Sequence, residues 1–323
     1  MLNFFRSYKN IVIVVIILTG IMTWAHVLGK SETADFGKYG TFLYELLANV
    51  SSFQVWLSFI LFLVIAVMLV FFNTRMSLIG KITYLPALCY VLLIGGVPEV
   101  HLFNPAIIAA IFFIAGFILL AKSFESEQLS YSFFTVSAII SLSTFFYQYM
   151  YVYMLIVWLI LAFWRPGYWR EWIFSILGFA FPVFLAFSWF FLIEDDPARM
   201  GTFFQEIFNI NREIPELSTS TNFFFTFSIV LAVIIFGYTL RFIGSKKTAI
   251  RTVYYILILT AIITAGMIFI IPDMLPLAWY LLAFPISFIF SIYLANVRSL
   301  RWGTIILAIF FAGVIISHVI YFY

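Results

Sequence analysis

Cysteine is nearly absent from this chain: Cys89 is the only one in 323 residues. One thiol excludes an intramolecular disulfide and a cysteine-built metal site, and its place inside an apolar run reads as packing. Charge is also scarce. Only 10% of the residues are Asp, Glu, Lys or Arg, against about a quarter in soluble domains. No basic stripe survives at that density, so a nucleic-acid partner is excluded. Motifs of soluble enzymes are missing as well: there is no phosphate loop, no G-x-S-x-G and no H-E-x-x-H. No internal repeat, low-complexity tract or soluble domain is visible.

Apolar length is what remains. Hydrophobic residues make up 65% of the chain and the mean hydropathy is +1.12, more apolar surface than one soluble core of this size hides. Crossing a bilayer takes about 20 mostly apolar residues. The spans expected are 11–28, 52–72, 83–97, 105–121, 129–147, 149–164, 171–193, 222–241, 252–271, 275–295 and 302–321. The first follows Arg6 and Lys9 and has no small-x-small cleavage site at its end, so it reads as an uncleaved span. Span 83–97 is short and contains Pro86 and Gly95-Gly96, which predicts a tilt, a kink or an incomplete crossing. The fold class expected is all-α, a polytopic bundle of about eleven helices in one integral membrane domain covering 1–323.

Counting Lys and Arg in alternate loops tests the topology. One side takes Arg6, Lys9, Arg75, Lys81, Lys122, Arg165, Arg170, Arg241, Lys246, Lys247, Arg251, Arg298 and Arg301; the other takes Lys30, Lys38, Arg199 and Arg212. The rich side is read as cytoplasmic, with the N-terminus inside and the C-terminus outside. Trp24, Trp56, Trp164, Trp169, Trp172, Trp189 and Trp302 fall near span ends and read as interfacial anchors. Tyr147, Tyr149, Tyr151 and Tyr153 read the same way, with a pocket lining as the alternative.

The unusual polar residues gather on the cation-poor side. Glu32 and Asp35 stand three apart in the first outer loop and share a face if that turn is helical. The stretch 41–50 that follows reads as a short interfacial helix. These acids are either solvated loop residues or a pair that binds a cation or acts as a base. Glu99 and His101 sit between two spans with little room to reach water, where an ionisable group needs a partner; the alternative is an accessible tip. The longest outer loop carries Arg199 and Arg212, suited to gripping a phosphate, and a helical stripe of Phe203, Phe204, Ile207 and Phe208. His26, His101 and His318 all map to this side, enough imidazoles in number for a metal, although no spacing links them.

This arrangement is similar to the GT-C superfamily of membrane glycosyltransferases. The resemblance rests on acids after the first span (Glu32, Asp35), an acid between the third and fourth (Glu99), and long outer loops after the first and seventh. The stretch Phe133 to Phe146 through Trp164-Arg-Pro-Gly-Tyr-Trp-Arg-Glu-Trp172 also resembles the middle of that core. It implies a core over about 1–222 with added spans over about 222–323. It implies Glu32 or Asp35 as base, Glu99 and His101 holding a divalent metal ion, and Arg199 or Arg212 on the phosphate of a polyprenyl-phosphate-linked sugar. The whole chain also resembles an uncharacterised family of multispan inner-membrane proteins of Gram-negative bacteria, through Lys81-Ile-Thr-Tyr-Leu-Pro-Ala-Leu88, Arg165 to Trp172 and Phe284-Pro-Ile-Ser-Phe-Ile-Phe-Ser291. That likeness implies the inner membrane and brings no activity with it. Two other functions stay open: a non-enzymatic subunit of an envelope secretion or assembly complex with a membrane-protein partner, and a small-molecule transporter.

Overall fold

The computed structural model describes residues 9–25, 27, 54–80, 83–124, 129–192, 201, 205, 217–297 and 299–323. Among them are eleven α-helices: α1 (Lys9–Trp24), α2 (Gln54–Met76), α3 (Leu85–Gly95), α4 (Pro105–Ser123), α5 (Leu129–Thr144), α6 (Met154–Trp164), α7 (Trp169–Leu192), α8 (Thr219–Gly244), α9 (Thr248–Ile270), α10 (Leu275–Asn296) and α11 (Leu300–Phe322). Each falls on one expected span. Short 3₁₀ segments, Pro98–His101, Gln148–Tyr153 and Pro272–Met274, lead into α4, α6 and α10. Seven of the helices are long and apolar enough to cross a bilayer, and α1, α3 and the Gln148–Trp164 stretch are shorter apolar helices. The chain is a multi-pass helical membrane protein.

Side-chain bonds between distant segments sort the helix ends onto two faces. At one end Lys246 Nζ donates to Ile79 O at 3.4 Å, Asn73 Nδ2 donates to Thr83 O at 2.9 Å and Tyr238 Oη donates to Asn296 O at 2.8 Å. At the other, His101 stacks against His318 and Tyr147 reaches Asp273. These contacts alternate along the chain, so successive helices run antiparallel. All ten described cations, from Lys9 to Arg301, fall at the first end, called the basic end here; the opposite one is the histidine end. Lys246 is partly withdrawn from water there, which lowers its pKa from the usual lysine value, and its ammonium lies 4.4 Å from the Phe242 ring.

The core is built around two central helices. Every residue of α3 is buried, and α10 is buried along most of its length. They pack on each other, with α1, α2, α4, α8 and α9 around them. Outer helices show large apolar side chains to the bilayer, among them Phe184, Val233, Ile262 and Ile315. In lipid, helices associate through close packing rather than the hydrophobic effect, so small residues mark contacts. Gly178 of α7 is one: a Cβ there would collide with the backbone carbonyl of Phe134 on α5. Ser137 donates to Ser175 Oγ at 3.2 Å across the same pair.

Two anchoring assignments are corrected. Trp24 is fully buried and so are Tyr147, Tyr149 and Tyr153. They fill the bundle instead of the interface: the 3₁₀ segment 148–153 turns the tyrosines inward before α6 begins, and Trp24 stacks on Phe62 and His101. Trp56, Trp169, Trp189 and Trp302 are exposed at helix ends, as expected of a belt.

Candidate functional site

The short third crossing creates the site. At 1.5 Å per residue α3 is only about 17 Å long, roughly half of a ~30 Å hydrocarbon core. Gly95-Gly96-Val97-Pro98 ends it, because Pro98 has no amide to continue the ladder. A Cβ at Gly96 would overlap the Phe224 ring from α8, so only glycine admits that ring. The chain then runs through the short 3₁₀ segment Pro98–His101 to α4, with Val97, Val100, His101, Phe103 and Asn104 all buried. Non-helical backbone at this depth persists only where protein or trapped water satisfies it.

Side chains from three other helices supply those bonds. Ser317 of α11 donates to Gly96 O at 2.7 Å, and Tyr280 of α10 donates to Val100 O at 2.8 Å. Ser58 of α2 donates to His101 O at 3.0 Å. His101 Nε2 lies 3.2 Å from Ile94 O, so that nitrogen carries the proton in the neutral ring. Ser220 of α8 donates to Ser317 O at 2.7 Å. Asn104 Oδ1 accepts from Ala106 N at 2.6 Å and caps α4. Counting from Arg301, Ser317 stands about 24 Å along its helix, so this knot lies near the histidine end rather than at mid-depth.

Glu99 and His101 have different surroundings. Glu99 is partly buried, and its Oε1 accepts from the backbone N–H of Ser218 at 3.0 Å. Ser218 is the N-cap of α8, its Oγ accepting from Thr221 N. The carboxylate therefore ties the break after α3 to the start of α8, 119 residues away. It is a built contact at a partly exposed position. His101 is buried among rings: it stacks on Trp24 at 3.9 Å, Trp24 stacks on Phe62 at 4.4 Å, and the His318 ring lies 5.9 Å from His101. His318 has Nδ1 3.0 Å from Val314 O and Nε2 3.4 Å from Thr23 O.

A second polar cluster at the same end, around the Pro272–Met274 segment, was not among the sequence candidates. Asp273 is buried at 4% exposure. Tyr147 Oη donates to its carbonyl at 2.9 Å and Tyr149 Oη to its Oδ2 at 3.4 Å. Tyr153 donates to Thr264 Oγ1 on α9 at 3.1 Å. The available signal was the turn itself: three residues between two spans leave an acid no path to solvent.

Of the remaining candidates, Glu32, Asp35, Arg199 and Arg212 lie outside the described residues, as do His26, the interfacial stretch 41–50 and the phenylalanine stripe of 203–208. Their segments are nevertheless joined to this end. Segment 28–53 follows Val27, whose N–H bonds Trp24 O. Segment 206–216 leads into Leu217 and Ser218, the partner of Glu99. Among the described residues no three ligating side chains converge, and His101 Nε2 is directed at a carbonyl. Chemically, a carboxylate with one oxygen fixed by an amide keeps lone pairs for a cation or for a proton. Set against known proteins, the chain matches no family model, no curated protein and no solved structure.

Proposed function

We propose that the chain is a GT-C-like transferase of the bacterial inner membrane, with its histidine end outside, which takes a sugar from a polyprenyl-phosphate donor. The observation that carries this reading is the Glu99–Ser218 bond. It joins the acid of the broken third crossing to the entry of α8, and so to the loop bearing Arg199 and Arg212. The loop with Glu32 and Asp35 leaves from the Trp24–His101 stack. The placement of all described cations at the basic end supports an inside position for that end. A groove between α8, α9 and α10, in the half of the bundle nearest the histidine end, has an apolar lining, which suits a lipid-linked substrate.

In this mechanism Glu32 or Asp35 removes the proton from an acceptor hydroxyl. That oxygen bonds to the anomeric carbon as the bond from that carbon to the phosphate oxygen breaks. The leaving polyprenyl phosphate keeps the electron pair, and Arg199 or Arg212 takes up its charge. Glu99 and His101 support the site, and a divalent ion bound there would balance phosphate charge.

The test is surface-glycan profiling of cells carrying Glu32→Ala, Asp35→Ala or Glu99→Gln. Loss or truncation of a glycan, with the variant still in the membrane, is the expected result. Unchanged glycans in all three would refute the catalytic reading.

A further inference from the structure

One corner of the basic end concentrates positive charge. Across the turn from α8 to α9, Arg241, Lys246, Lys247 and Arg251 stand close in sequence with no acid among them. Among the described residues Glu171 is the one carboxylate at this end, and it faces Arg165 at 3.6 Å. Like charges crowded at a membrane surface repel unless an anion lies among them.

Lys246 is the anchored member of the group. Its ammonium donates to Ile79 O, in the turn after α2, at 3.4 Å and lies 4.4 Å from the Phe242 ring. Gly80, with φ at +81°, makes room for it: a Cβ there would stand 2.7 Å from the lysine nitrogen. An ammonium has three N–H donors, and neither a carbonyl nor a ring neutralises its charge. The neighbouring wall of the corner is the start of α9. Lys247 is the N-cap of that helix and makes no side-chain cap bond, so first-turn amides are left for another acceptor. Amides of a first turn beside a held ammonium suit a phosphate.

We infer that this corner holds the phosphate of an anionic phospholipid, seated between Lys246 and the first turn of α9 in the leaflet facing the basic end. Two observations favour a lipid over a free phosphate. The corner lies where two spans, α8 and α9, leave the bilayer. Leu240 and Tyr255, one residue before Arg241 and one turn after Arg251, are 44% and 42% exposed and offer acyl chains a surface. Basic pockets between membrane helices bind anionic heads in this way. A glycerol head suits the corner better than a choline head, whose own cation would be set among like charges. The site stands at the end opposite Glu99, so it is independent of the transferase reading.

The experiment titrates the full chain in detergent with phosphatidylglycerol or phosphatidylcholine and counts bound lipid by native mass spectrometry. Inorganic phosphate is added as a competitor in a parallel series. The parent should hold phosphatidylglycerol severalfold more tightly than phosphatidylcholine. Lys246→Gln should remove that excess, while Arg170→Gln, on α7 at the same end but packed on α5 and α6, should leave it unchanged. Thr248→Pro should narrow the excess: proline is tolerated at the first position of a helix but takes away one amide. The exposed Lys247→Gln serves if Lys246→Gln does not fold. Equal binding of the two lipids by the parent, or equal losses in Lys246→Gln and Arg170→Gln, would overturn the inference. Displacement of phosphatidylglycerol by an equal concentration of inorganic phosphate would assign the corner to a soluble anion and overturn the lipid.

Discussion

At the scale of single residues, the bundle holds its irregular backbone with hydroxyl groups. Ser317, Ser58 and Tyr280 each donate to one carbonyl of the 94–101 segment. A buried carbonyl stripped of its donor costs about 1–3 kcal/mol. Ser317→Ala should therefore lower stability in detergent by about that much, read as a shift of the thermal midpoint. Ser317→Thr keeps the hydroxyl and should lose less. Equal stability of both variants with the parent would mean the bond carries no weight. Glu99→Gln separates structure from chemistry. The amide oxygen still accepts from Ser218 N–H, so the fold should hold while any role of the charge is lost.

At the scale of elements, glycine placement decides which helices touch. Gly178→Val should separate α7 from α5, since backbone at Phe134 has no room to yield, and overpacking of this kind costs about 1–3 kcal/mol. Gly237, within α8, has open space around its Cα, so Gly237→Ala should be neutral or gain up to ~1 kcal/mol. A Gly178→Val variant as stable as Gly237→Ala would contradict the α5–α7 contact. Element positions were legible in advance because lipid demands long apolar runs and loops collect the charges. The short length of α3 was signalled by Pro86, which stands in its first turn, and by Gly95-Gly96 at its end, whereas the inward turn at 148–153 was not. Tyrosine is at home both at an interface and in a polar core, so composition alone did not separate the two for Tyr147, Tyr149 and Tyr153. Asp273 went unnoticed because its partners Tyr147 and Tyr149 are more than a hundred positions away, a distance that no local pattern spans.

At the scale of the molecule, the two ends of the bundle differ in chemistry. Ten described cations stand at one end, while Glu99, Asp273, His101 and His318 stand at the other. The charge count from sequence anticipated this division, and the bonds between distant segments give it an independent physical basis. What the sequence did not reveal is how the far-end residues group: His101 with Trp24 and His318, Glu99 with Ser218, and Asp273 with two tyrosines. Cysteine scanning of positions 98–104 in intact cells, read with a membrane-impermeant maleimide, tests this arrangement most directly. The sole native thiol, Cys89, is fully buried and gives little background. The account predicts that Glu99→Cys is labelled from the same side as Tyr323→Cys and that Val100→Cys and His101→Cys are protected. It further predicts that Lys247→Cys is labelled only from the opposite side. Labelling of Glu99→Cys from the side of Lys247→Cys, or free labelling at every position from 98 to 104, would contradict it.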